Sequence, residues 1–144
     1  MINHERILGL DLGTRTLGLA ISDPTGTIAQ TYQTIRFAEN DFDSLIPILK
    51  DIQTKENIST FVLGLPKNMN NTMGERCNVT ISFKEKLEKQ LSIQVMLQDE
   101  RLTTIEANRY MLEADISRKK RKNKIDSLAA NIILQSYLDK EKGK

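Results

Sequence analysis

Ile7-Leu8-Gly9-Leu10-Asp11-Leu12-Gly13-Thr14 is the stretch on which the reading of this chain turns. It reads as an apolar strand with one carboxylate, Asp11, and glycines two residues before and two after it. An ionised side chain in a strand buried on both faces is costly unless something pairs with it. Glycines in a strand mark close approach of a ligand or of another backbone. Two readings follow: Asp11 ends the strand and binds turn amides, or it belongs to a site, with Gly9 and Gly13 leaving room for a metal and a phosphate above the strand.

Working outward, Leu17 to Ser22 forms a second strand, returned antiparallel by a turn over Gly13 to Thr16. Asp23-Pro24-Thr25-Gly26 has the residues a type I turn prefers, and a third strand runs from about Thr27 to Phe37, rich in Thr, Ile, Tyr and Phe. The period then changes. Leu45, Ile46, Leu49 and Ile52 recur at helical spacing, with Pro47 tolerated near the helix start and Asn57 at its end. Thr60 to Leu65 is a short strand stopped by Pro66, and Lys67 to Gly74 is a polar loop. Val79, Phe83, Leu87 and Leu91 stripe a second helix. Ile93 to Gln98 is a fifth strand running into Asp99, Glu100 and Arg101. Thr103 and Glu106 form a capping box for a third helix through Ala114. The basic segment follows as a connection, and Ile125 to Leu138 is a last helix, apolar nearly all round over Leu128 to Leu134. Antiparallel pairing at the start and helical crossovers after it call for a mixed five-stranded α/β sheet with helices on its faces. The 144 residues are expected to make one domain.

Composition narrows the chemistry. Cys77 is the only cysteine and His4 the only histidine, so neither a disulfide nor a Cys/His metal cluster can form within the chain. No apolar run approaches a membrane span, and Met1 through His4, Glu5 and Arg6 lead into the first strand without a signal-peptide core; a cytoplasmic location and no membrane partner are expected. The net charge is +2, yet Arg118, Lys119, Lys120, Arg121, Lys122 and Lys124 carry six positive charges, leaving −4 on the remainder. A polyanion would meet its cations there, through counterion release.

Three acidic positions stand out: Asp11 on the first strand, Asp99-Glu100 after the fifth, and Asp126 in the first turn of the last helix, where the macrodipole favours an anion by about 0.3–1 kcal/mol. In a sheet where strands four and five add beside strand one, all three reach one end. Two carboxylates about 4 Å apart repel by roughly 4 kcal/mol at an effective dielectric near 20, so either one is protonated or a divalent cation lies among them. Oxygen-only ligands favour Mg²⁺ or Mn²⁺, and such a site suits metal-assisted phosphodiester hydrolysis. Asn68, Asn70, Asn71 and Arg76 add donors near the same sheet edge; Arg101 either pairs with Glu100 or contacts a phosphate. Thr14 and Lys67 complete the candidate nucleic-acid contacts, with Arg118 to Lys122. Aromatic residues are only 5% and Trp is absent, which points to backbone and shape recognition rather than stacked single-strand bases.

Four motifs, Gly9 to Thr14 (Gly-Leu-Asp-Leu-Gly-Thr), Gly64 to Asn70 (Gly-Leu-Pro-Lys-Asn-Met-Asn), Asp99 to Thr104 (Asp-Glu-Arg-Leu-Thr-Thr) and the run from Ser117 to Ala130, resemble the YqgF family in register from Ile7 to about Asp139. The resemblance implies a ribonuclease H-like fold with strand order 3-2-1-4-5. It also implies a metal-binding and catalytic cluster of Asp11, an acid of Asp99-Glu100, and Asp126; the resemblance does not choose between Asp99 and Glu100, and Glu100 is favoured because its longer arm can reach in from the strand end. Members are described as Holliday-junction resolvases and as nucleases maturing the precursor of small-subunit ribosomal RNA. Pre-16S rRNA, with ribosomal particles as a further partner, is thus the favoured target; branched DNA is the alternative, and a non-catalytic nucleic-acid-binding module the rival from another class. A monomer or weak homodimer is expected.

Overall fold

The computed structural model describes residues 5–13, 15–65, 75–99 and 118–142. Five strands, β1 (Arg6–Leu12), β2 (Thr16–Ser22), β3 (Ala29–Arg36), β4 (Ile58–Leu65) and β5 (Gln94–Asp99), form one sheet in the order β3-β2-β1-β4-β5. β1–β2 and β2–β3 pair antiparallel; β1–β4 and β4–β5 pair parallel. The helices are α1 (Leu45–Lys55), entered through a short 3-10 turn at Phe42–Ser44, α2 (Glu75–Leu91) and α3 (Arg118–Lys142). Fold class and strand order are as the sequence implies. The capping-box helix expected over Thr103 to Ala114 and the loop expected over Lys67 to Gly74 lie outside the described residues.

Both turns of the meander have a visible chemical cause. The Gly13 amide donates to the Thr16 carbonyl at 2.8 Å, and a Cβ on Gly13 would lie 3.1 Å from that same oxygen. At the second turn the Gly26 amide donates to the Asp23 carbonyl (2.9 Å). The Asp23 carboxylate accepts from the amides of Thr27 (2.8 Å) and Ile28 (3.0 Å), and the Thr25 hydroxyl donates to it as well. Those bonds, led by the Ile28 amide, hold its pKa well below the usual carboxylate range. They occupy residues 27 and 28 in the turn, so β3 begins at Ala29 rather than at Thr27.

Alternation along the strands divides the core. Leu8, Leu10 and Leu12 of β1, Phe61 and Leu63 of β4 and Val95 of β5 pack with Leu45, Leu49, Phe83 and Leu87 of α1 and α2. The other face carries Ala20, Ala29 and Val62 against Ala130, Ile133, Leu134 and Leu138 of α3. At the start of β1, Glu56 accepts from Tyr32 (2.9 Å) and pairs with Arg6 (3.5 Å), joining the end of α1 to both strands; burial first, and this carboxylate second, push the Tyr32 hydroxyl pKa up.

One expectation about the helices is overturned. The basic segment is not a connection: Arg118 to Lys124 are the opening seven residues of α3. Asp126 is consequently the ninth residue of that helix, not in its first turn, and the macrodipole supplies no reason for an acid there.

Candidate functional site

Asp11 is the next-to-last residue of β1 and half-buried. Its parity is that of Ile7 and Gly9, which face α3, and not that of Leu8, Leu10 and Leu12, which face α1 and α2. On β2 it pairs directly with Gly18. On β4 the rung after Leu10–Leu63 is occupied by Gly64, which itself pairs with Gln98 of β5. The carboxylate is therefore flanked on both neighbouring strands by residues without side chains.

This corrects the assignment made to Gly9 and Gly13. A Cβ at Gly9 would stand 2.8 Å from the Leu134 Cβ and 3.0 Å from the Ala130 carbonyl oxygen; that glycine admits the backbone of α3. Gly13 serves the turn. The residues beside Asp11 on the neighbouring strands are instead Gly18 and Gly64, which the sequence reading missed. Gly64 stood inside a quoted motif, but only the strand register brings the two glycines to Asp11.

The path of α3 follows from its contacts. Near its C-terminal half, Asn131 donates to the Ala29 carbonyl (3.2 Å), and the Gln135 amide both donates to the Thr27 carbonyl (3.0 Å) and accepts from the Ala29 amide (2.8 Å). Ala29 pairs with Ser22, whose hydroxyl accepts from the Ile7 amide (2.9 Å). That end of the helix is thus level with the start of β1, while Ala130 and Leu134 cross Gly9. Moving back one turn, about 6 Å, leads to residue 126, and moving on two strand residues, about 6.6 Å, leads from Gly9 to Asp11. Both steps leave the Gly9 crossing in the direction of the same sheet end.

Asp99 is the last residue of β5 and pairs with Leu65. Arg76 is the second residue of α2, and Arg118, Lys119, Lys120, Arg121 and Lys122 open α3. Thr14, Lys67, Asn68, Glu100 and Arg101 lie outside the described residues. No cluster of three His, Cys, Asp or Glu residues suited to a metal occurs among the described residues, a set that excludes Glu100.

The model of a family described as "RuvX: Holliday junction resolvase" matches residues 5–140. The chain belongs to this family, also called YqgF. A Staphylococcus aureus (strain JH9) protein named "Putative pre-16S rRNA nuclease" is 51% identical over 140 residues, 96% of this chain and 98% of that one. Among solved structures, Thermus thermophilus RuvC in complex with a Holliday junction substrate covers 98% of both chains at a TM-score of 0.62 and 11% identity. A second T. thermophilus RuvC structure covers 96% of both at 0.57 and 10%. At such identities the likeness to RuvC is one of fold. It extends over almost the entire family domain. Among the described residues no helix is long and apolar enough to cross a membrane.

Proposed function

We propose that this chain is a divalent-metal-dependent nuclease that hydrolyses phosphodiester bonds of pre-16S ribosomal RNA, with Asp11, Glu100 and Asp126 as the carboxylates that would hold Mg²⁺ or Mn²⁺. The observation that carries the reading is the position of Asp11: a half-buried acid on the α3 face, flanked by Gly18 and Gly64, with residue 126 one turn from the Gly9 crossing. A donor set of carboxylates alone fits a hard dication and offers nothing to a soft one. Glu100 is preferred to Asp99 because its longer side chain can reach in from beyond the end of β5. Bound there, the ion would lower the pKa of an attacking water and neutralise charge developing on the phosphate.

The chain's own residues have separate tasks. Asp11 supplies a carboxylate from β1, the central strand of the sheet. Asp126 and the cations of Arg118 to Lys122 come from one helix, so the element that brings an acid to the centre also brings the charge that holds the polyanion. Thr14, Lys67, Asn68, Arg76 and Arg101 would add further contacts to the nucleic acid. Four-way DNA junctions are the second reading, supported by the family's description as a resolvase family. We take the catalytic unit to be one domain spanning residues 1–144, cytoplasmic, acting as a monomer or weak homodimer on free precursor or on ribosomal particles.

Asp11→Asn tests the reading. The variant is expected to fold like the wild type, by circular dichroism and thermal melting, to lose Mn²⁺ affinity in calorimetry, and to cleave precursor RNA and DNA junctions at least about 100-fold more slowly, the scale of losing one charge-stabilising group. An undiminished cleavage rate would remove Asp11 from the centre. Selective loss on DNA junctions, with no cleavage of RNA by the wild type, would move the substrate to the second reading.

A further inference from the structure

Arg15 and Glu39 form an ion pair at 3.2 Å between the turn that closes the β1–β2 hairpin and the segment after β3, with side chains 71% and 56% exposed. Arg15 lies four residues beyond Asp11, in a turn that leaves its backbone little freedom. The Gly13 amide and Thr16 carbonyl close the turn, and the Arg15 carbonyl accepts the Phe37 amide at 3.0 Å. That last bond fixes the guanidinium's starting point beside the end of β3, where Thr16 pairs with Arg36. A second cation therefore stands on the same edge.

The location relative to α3 makes the pair more than surface decoration. From Gln135 over β3, through Leu134 and Ala130 over Gly9, the helix leads its N-terminal cations away from β3. Arg15 is on the other side of Asp11, toward β2 and β3. Arg15 and the N-terminal end of α3 thus lie on opposite sides of Asp11 across the strand order.

Exposure decides what Glu39 does. An ion pair this open contributes little to stability, and the two non-bridging oxygens of a phosphodiester offer the guanidinium an equally good bidentate acceptor. Glu39 is a counter-ion that a phosphate can replace at small cost.

We propose that Arg15 is a phosphate-binding residue of the nucleic-acid track, on the side of Asp11 opposite the basic start of α3, and that Glu39 is an internal anion that competes with the substrate backbone for it. The proposal rests on the nuclease reading in so far as it requires a nucleic acid at this sheet end, but it assigns a contact that neither the motifs nor the basic run contains. It predicts that affinity is set partly by an acid that touches no substrate.

The experiment measures binding of a fluorescent RNA duplex and a four-way DNA junction to the full chain without divalent metal, over a series of KCl concentrations. Arg15→Gln should weaken binding and flatten the plot of log affinity against log salt by about 0.7–0.9, the loss of one phosphate contact. Glu39→Gln should tighten binding by about two- to fivefold, the range of an exposed ion pair. In the double variant Glu39→Gln should have no effect, since its action requires Arg15. An unchanged salt slope in Arg15→Gln would overturn the proposal. So would equal tightening by Glu39→Gln with and without Arg15, because Glu39 would then act only as general negative charge. Failure of the wild type to bind either nucleic acid would overturn the nuclease reading itself, a result distinct from either of these.

Discussion

The two faces of the sheet are built from different materials. Toward α1 and α2 the contacts are large and apolar: Leu8, Leu10, Phe61 and Leu63 meet Leu45, Leu49, Phe83 and Leu87. Toward α3 the strands offer Gly9, Ala20, Ala29 and Val62, and the helix answers with Ala130, Ile133, Leu134 and Leu138 and with polar tethers from Asn131 and Gln135. Large side chains bury more area, about 1.5–3 kcal/mol for each one fully removed from water. Small ones bury less but bring backbones close, and a backbone in contact cannot slide. The first face supplies stability; the second sets the axial position of the helix that carries Asp126 and the basic run.

If that division holds, the largest loss of stability comes from the first face. Phe61 is fully buried at the centre of β4, and Phe61→Ala should cost about 3–5 kcal/mol in denaturant unfolding. A loss below about 1 kcal/mol would show that this face yields to collapse and is not the principal core. A milder Phe61→Leu, still folded, should leave cleavage per folded molecule unchanged.

Gly9→Ala tests the second face and should have a smaller effect on stability with a larger one on activity. The added methyl meets the Leu134 Cβ at 2.8 Å and the Ala130 carbonyl at 3.0 Å, neither of which can swing aside as the end of a flexible side chain could. Overpacking of this kind costs about 1–3 kcal/mol. Because relief requires α3 to move, cleavage per folded molecule should fall well below that of Phe61→Leu at comparable stability. Equal activities would mean that the helix position is not tuned to the centre.

The same contrast explains what the sequence revealed. Periodic apolar patterns such as Val79, Phe83, Leu87 and Leu91 give the first face directly, because packing against a broad core leaves a stripe at helical spacing. The start of α3 has no stripe at all. Six cations in seven residues show no amphipathic period, yet Lys and Arg are good helix formers, so propensity continues the helix where periodicity falls silent. At the candidate centre Asp11 is visible as an acid in an apolar strand. Its neighbours Gly18 and Gly64 are not, because their proximity is a property of strand register rather than of spacing along the chain.

The smallest expected effect lies at the far end of α3, where its tethers reach the turn after β2. Gln135 reads the Thr27 carbonyl and the Ala29 amide, and the Asp23 carboxylate organises the same loop through the amides of Thr27 and Ile28. Asp23 has a folded pKa below its ordinary value of 3.8, so its contribution to stability is fully present above that value and is lost as pH falls toward the folded pKa. Asp23→Asn should consequently lower the melting temperature slightly at pH 7 and reduce the acid sensitivity of the melt below pH 4, the difference from wild type shrinking as pH falls. Asn can still accept the two amide bonds but brings no charge, which makes this a test of the charged bonds rather than of the turn. A difference that stays constant from pH 7 to pH 3 would assign the effect to turn shape alone, and would leave the tethers of α3 independent of the carboxylate beneath them.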